Sequence, residues 1–190
     1  NSGDLTIGTS GEATTTVWST PNPLRVGYNS GTGTITVYGK TSLAGAYAQT
    51  HVGSSSGVGS GHLIYKTGSS LDNRKAFTVY ETGTLEFETG VTFASTNFRD
   101  GLSLGNDAST LIMHTNAAAI SSMMSENGAK SLNLNGTLQL NHAAATTLGD
   151  SWNITDATTA FAVHTGSFDK VETVGTEGDM YALTYTPNAS

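Results

Sequence analysis

Four stretches of this chain repeat one plan: a short alternating segment, a glycine, a turn of small polar residues, and a second alternating segment. Leu5-Thr6-Ile7-Gly8 leads through Ser10-Gly11 to Thr14–Trp18, and Leu24-Arg25-Val26-Gly27 leads through Ser30-Gly31-Thr32-Gly33 to Thr34–Tyr38. His51-Val52-Gly53 leads through Ser56-Gly57-Val58-Gly59 to His62–Tyr65, and Leu102-Ser103-Leu104-Gly105 leads through Asn106-Asp107-Ala108 to Ser109–His114. The anchor glycines Gly8, Gly27, Gly53 and Gly105 are 19, 26 and 52 residues apart, the last interval being two lengths of about 26. A unit of 20–26 residues holding two or three very short strands cannot bury its apolar side alone, so it must stack on its neighbours. The fold this predicts is all-β: a parallel β-solenoid, or β-helix, of seven or eight rungs and roughly 35 Å at about 4.8 Å per rung. The alternative is a β-sandwich or jelly roll, which also strings short strands between glycine turns.

Period-two alternation supports strands throughout, as in Thr34–Tyr38, Phe77–Tyr80, Thr84–Phe87, Leu132–Leu134 and Leu138–Leu140. Gly, Thr and Ser together supply 75 of the 190 residues, while charged residues make up 12%. Such a chain lacks the Glu, Lys and Arg with which amphipathic helices cover their outer faces. Asn116–Lys130, with Ala117–Ile120, Met123 and Met124, is the one stretch weighed as a short helix.

The same composition excludes several functions. A net charge of −7 and a pI near 5.0 give no footprint for nucleic acid. No cysteine means no disulfide, thiolate zinc site or cysteine nucleophile. No run approaches the roughly 18 apolar residues of a membrane-spanning helix. The opening at Asn1, with neither methionine nor leader, is expected to be a processed or trimmed start.

The LxΦG–SGxG–TΦTΦxG units, and above all Leu132-Asn133-Leu134-Asn135-Gly136-Thr137-Leu138-Gln139-Leu140, resemble rungs of autotransporter-type passenger β-helices. They equally resemble related exported bacterial proteins whose precursors carry a PEP-CTERM sorting tail. The stretch Leu148-Gly149-Asp150-Ser151-Trp152-Asn153-Ile154-Thr155-Asp156, with Gly166-Ser167-Phe168 and Tyr181-Ala182-Leu183-Thr184-Tyr185, is similar to the closing, capping segment of those proteins. No membrane barrel or sorting tail follows within the chain, so the resemblance implies export and leaves the anchoring route open. It divides one domain into a repeat region, 1–141, and a C-terminal capping segment, 142–190.

Chemistry-bearing residues are scattered. Of His51, His62, His114, His142 and His164, the last three sit in similar settings 28 and 22 residues apart, close enough to a rung for a metal ladder. The simpler role is a strand-end residue bonding backbone, and no HxH or HExxH pair is present. Glu81, Glu86 and Glu88 cluster, with Glu86 and Glu88 on one strand face, a spacing that invites comparison with a glycosidase acid pair. Asp72-Asn73-Arg74 and Arg99-Asp100-Gly101 read as turns, as do Asn106-Asp107 and Gly178-Asp179, each of which offers a calcium ion a single ligand. No phosphate loop or Gly-x-Ser-x-Gly elbow occurs. A threonine array of the kind ice-binding solenoids use needs Thr-x-Thr in every rung, and only Thr34-Ile35-Thr36 clearly provides it. Sequons at Asn135, Asn153 and Asn188 follow from abundant Asn and Thr.

With no convergent site, no cofactor, no metal and no catalytic residue expected, the sequence points to a non-enzymatic extracellular structural protein: a subunit of a self-assembling surface fibre, tube or layer, or an adhesin module. Solenoid ends expose unpaired strand edges, so the expected partner is a further copy, joined end to end. The expected joints are Leu5, Thr6 and Ile7 at one end and Tyr181, Leu183 and Tyr185 at the other. The alternative is a carbohydrate-binding or polysaccharide-degrading β-helix, with surface glycans stacking on Trp18, Tyr28, Tyr38, Tyr47, Tyr65 and Tyr80.

Overall fold

A computed structural model describes residues 2–11, 15–18, 22–43, 49–73, 75–93, 101–105, 108–116, 119–120, 131–142, 153–154 and 163–175. Among them there is no helix, and the strands wind into a parallel β-solenoid. The first turn is β1 (Ser2–Ile7), β2 (Thr15–Trp18) and β3 (Leu24–Val26); the second is β4 (Thr32–Val37), β5 (Lys40–Leu43) and β6 (Thr50–Val52). The third is β7 (Ser60–Tyr65), β8 (Ser70–Asn73) and β9 (Phe77–Val79); the fourth is β10 (Gly83–Phe87), β11 (Thr92–Phe93) and β12 (Leu102–Leu104). Beyond these four complete turns come β13 (Thr110–Asn116), β14 (Ala119–Ile120), β15 (Ser131–Leu134), β16 (Thr137–His142), β17 (Val163–Thr165) and β18 (Lys170–Val174).

Three sheets run along the axis. Sheet A stacks β1, β4, β7, β10, β13, β16 and β18; sheet B stacks β2, β5, β8 and β11; sheet C stacks β3, β6, β9, β12, β15 and β17. All of these pairs are parallel, and only β14 pairs antiparallel, against β13. Seven strands of sheet A span roughly 29 Å at about 4.8 Å per step. Of the stretch weighed as a helix, Asn116 ends β13 and Ala119–Ile120 form β14; the remainder lies outside the described residues.

The register corrects the repeat. Ser2 faces Thr32, Thr32 faces Ser60, His62 faces Thr84, Thr84 faces Thr110, Thr110 faces Thr137 and Thr137 faces Lys170. Successive turns therefore take 30, 28, 22, 26, 27 and 33 residues, more variable than 20–26. Leu5 faces Ile35 in sheet A, whereas Leu24, aligned with it by sequence, opens sheet C and faces Thr50. The 52-residue interval is indeed two turns: Phe77–Val79 lies between Thr50–Val52 and Leu102–Leu104.

Alternation sends every second residue inward, and these form continuous columns. In sheet A, Leu5, Ile35, Leu63, Leu85, Leu111, Leu138 and Val171 make one; Ile7, Val37, Tyr65, Phe87, Met113, Leu140 and Thr173 make a second. Sheet C contributes Val26, Val52, Val79, Leu104 and Leu134. The members from the second to the sixth sheet-A turn are buried, joined by Leu71 and Phe93 from sheet B. Tyr65 and Phe87 pack tilted by 32° with ring centres 5.6 Å apart, and Phe93 meets Phe87 edge-on at 5.1 Å.

Glycines occupy the corner where sheet C hands over to sheet A. Gly53 turns with φ +82°, and its N–H donates to Val26 C=O at 2.8 Å. Gly61 passes directly beneath: a Cβ there would lie 2.1 Å from the Val26 oxygen and 2.6 Å from Gly53 N. Only a residue without Cβ allows the two backbones so close.

Candidate functional site

The outward face of sheet A carries the densest group of titratable side chains. Three neighbouring strands, β7, β10 and β13, place His62, Glu86 and His114 on that face. Strict lateral stacking would put Glu86 beside Ile64 and Ile112, its register partners. The histidines instead sit two residues off on either side, and a diagonal contact forms in each direction. His62 Nε2 lies 2.7 Å from one Glu86 oxygen and His114 Nε2 lies 2.7 Å from the other. Glu86 is 12% exposed, so the carboxylate is drawn from water and both oxygens are satisfied by imidazole N–H donors. Those bonds, from His114 first and then His62, outweigh burial and hold the Glu86 carboxyl down at about 2.

One position along, Lys66 Nζ donates to Glu88 at 2.6 Å, and Thr67 donates its backbone N–H at 2.9 Å and its hydroxyl at 3.2 Å. Burial pushes the Glu88 carboxyl up, but the Lys66 and Thr67 bonds prevail and leave it below the usual range. The hydrogen bond to Glu88 raises Lys66 in turn. A glycosidase general acid has its carboxyl raised, whereas the contacts around Glu86 and Glu88 shift both in the opposite direction. The pair acts as a brace between turns. Among the described residues no group of His, Asp or Glu is arranged to hold a metal ion.

The three histidines whose spacing would allow a ladder do not stack on one face. His114 faces Asn141, while His142 faces Thr115 and turns inward, where Thr115 Oγ1 and His142 Nδ1 lie 2.5 Å apart. His164 faces Leu132 in sheet C, a different sheet altogether. His62, left out of that ladder, is the one that joins His114 through Glu86. Offsets of 24 and 28 residues along a diagonal leave no periodic trace in the sequence.

Nor does sheet A carry a threonine array. Two of its outward columns read Asp4, Thr34, His62, Thr84, Thr110, Thr137, Lys170 and Thr6, Thr36, Ile64, Glu86, Ile112, Gln139, Glu172. Only β4 carries threonine at both positions.

Sheet C presents an aromatic group. Tyr28 stacks near His51 with centroids 6.5 Å apart, Tyr80 meets His51 edge-on at 5.5 Å, and the Arg25 guanidinium lies 4.3 Å from the Tyr28 ring centre. Burial, and then Arg25, lower the His51 pKa. Of the other aromatic platforms, Tyr65 is wholly buried and cannot stack on a ligand, a correction that follows from its sharing the inward face with Leu63. Tyr38 sits beyond the end of β4 on sheet A; the Trp18 side chain and Tyr47 lie outside the described residues.

At the ends of the solenoid, β1 and β18 are the outermost strands of sheet A. Leu5, Thr6 and Ile7 lie on β1, with Leu5 45% exposed; Tyr181, Leu183 and Tyr185 lie outside the described residues. An open concavity beside β1 is lined by Leu5, Ile35, Val26, Gly27, Arg25 and Tyr28.

These features define a parallel β-solenoid repeat protein, braced by polar contacts along one face. No family model, curated protein or solved structure matches the chain. Among the described residues no helix is long and apolar enough to cross a membrane.

Proposed function

We propose that this chain is a non-enzymatic extracellular structural subunit whose solenoid stacks end to end into a surface fibre, tube or layer. One observation carries the reading. The column Leu5, Ile35, Leu63, Leu85, Leu111, Leu138, Val171 is closed in its middle and open at both ends, with Leu5 45% and Val171 38% exposed. An apolar ladder whose outermost described members face water is stabilised by any further strand that continues it. Two ends of the same kind on one rod make heterologous contacts, which propagate rather than close. The extracellular placement rests on the likeness of the rungs to exported β-helices.

Negative-stain electron microscopy and sedimentation velocity across a concentration series test this. Fibres or sheets are expected, and Leu5→Asp or Val171→Asp should abolish them while circular dichroism still reports the folded solenoid. Isolated short rods at every concentration would sink the reading.

A second reading, glycan binding, draws on the Tyr28, His51, Tyr80 and Arg25 group, where aromatic faces adjoin a cation. Glycan-array binding lost in Tyr28→Ala is its test; an array without signal removes it.

A further inference from the structure

We infer that copies join in the solenoid's own register, β1 of one chain laid parallel against β18 of the next, with Leu5 on Val171, Ile7 on Thr173 and Asp4 beside Lys170. This rests on the end-to-end reading above and specifies its joint. Three features agree on it.

The first is the inward column. Leu5 and Val171 belong to one column and Ile7 and Thr173 to the next, so a continued register covers the exposed apolar residues at both ends at once.

Backbone valence is the second. In a parallel ladder the N–H and C=O of one residue face the same neighbour, and adjacent residues alternate. Ile7 C=O accepts from Tyr38 N–H, so Ile7 and Leu5 face β4, and Asp4 and Thr6 present their backbone groups to the open edge. At the far end Thr137 N–H donates to Ser109, which turns Leu138 toward β18; by the same alternation Val171 and Thr173 present theirs outward. The groups left over at one end are those the other end needs.

Charge is the third. Asp4 and Lys170 stand at opposite ends of a single outward column whose five intervening members are Thr34, His62, Thr84, Thr110 and Thr137. Continuing the register brings the two opposite charges side by side, on the same face. Lys170 already contacts Glu172 along its own strand and remains 64% exposed, free to share its ammonium across the joint. A different partner chain would have no reason to match column, valence and charge together; a second copy matches all three.

Cysteine crosslinking tests the register directly, since the parent has no cysteine. In-register neighbours on adjacent parallel strands stand about 4.8 Å apart, within disulfide range. An Asp4→Cys/Lys170→Cys protein should yield a ladder of multimers on a non-reducing gel. Asp4→Cys with Glu172→Cys, two residues out of register, should give at least tenfold less. As a second measurement, Asp4→Lys and Lys170→Asp should each raise the critical concentration for assembly about three- to tenfold. The double variant, or a one-to-one mixture of the singles, should restore it to within twofold. If the parent assembles but the two cysteine pairs crosslink alike, or the double charge variant is no better than the singles, the register is wrong and end-to-end assembly stands. If the parent never assembles, that reading fails and the joint with it.

Discussion

Four glycines in one inward column of sheet A, Gly3, Gly33, Gly61 and Gly83, face each other in consecutive turns, yet alanine at the first three should have very different effects. At Gly61 a methyl would sit 2.1 Å from Val26 O, against an ordinary contact of 3.4 Å or more. Relief requires moving backbone by over an ångström, and the clashing oxygen is the acceptor of the Gly53 N–H bond. Losing that buried bond and straining the corner should cost about 3–5 kcal/mol. For a chain of this size that corresponds to a fall of roughly 6–20 °C in Tm. Gly33→Ala meets Gly3 O at 3.1 Å and Gly27 N at an ordinary 3.7 Å, and should cost about 1 kcal/mol. Gly3→Ala meets nothing within 4 Å and should be neutral, or stabilising by up to about 1 kcal/mol through the unfolded chain. Urea titrations followed by circular dichroism at a concentration below assembly would rank the three. Equal effects at Gly3 and Gly61 would refute the claim that close approach, rather than β propensity, selects glycine here.

Glu86 should give the solenoid an acid-sensitive step. Its folded pKa lies below its unfolded one, so the contribution is complete above about 4.5 and is lost as pH falls toward about 2. With its partners one-third exposed we expect about 2 kcal/mol. Glu86→Gln should therefore lose stability at pH 7 and flatten the acid limb of a urea-midpoint profile; parallel profiles would contradict this. Tyr65 is fully buried with its hydroxyl unpartnered among the described residues, and burial pushes its pKa up. Tyr65→Phe should stabilise by about 1 kcal/mol, and a lower melting temperature would show the hydroxyl to be bonded. Lys66→Met, by contrast, breaks a half-exposed contact and should shift stability by less than about 1 kcal/mol in thermal melts, an effect that shrinks with salt.

Strands were legible because their inward residues are unambiguous: in Thr84–Phe87 or Leu138–Leu140, alternation leaves one apolar face and one polar face. Their assignment to sheets was not. Glycines with positive φ close strands of sheet A, as at Gly8, and strands of sheet C, as at Gly27, so one local motif marks two places in the turn. Turns of 22 to 33 residues blur the period further, because corners absorb insertions at little cost while registered strands cannot. The sheet-A brace was half visible: Glu86 stood out as one of a carboxylate cluster, but its partners are fixed by lateral register and a two-residue diagonal. Tyr65 was misjudged although its parity was readable, since His62 and Ile64 share the face opposite Leu63 and Tyr65.

The low charge of the chain follows from the same geometry. In a parallel in-register stack each outward side chain lies about 4.8 Å from its counterparts above and below, and repeated like charges would repel along the whole axis. Threonine, serine and glycine carry no such penalty, and among the outward residues of sheet A the charges that do occur are kept apart from their own kind. Glu86 has Ile64 and Ile112 as lateral neighbours and finds its histidines on the diagonal. The column that begins with Asp4 holds no other formally charged residue until Lys170. These two stand on the outermost described strands of sheet A, and in the joint proposed above the next copy supplies each with its opposite partner. In that joint, substitutions that put like charges at positions 4 and 170 should cost assembly more than the same charges placed at exposed corners such as Ser10 or Ser55, and a sedimentation comparison of those variants at equal net charge would decide it.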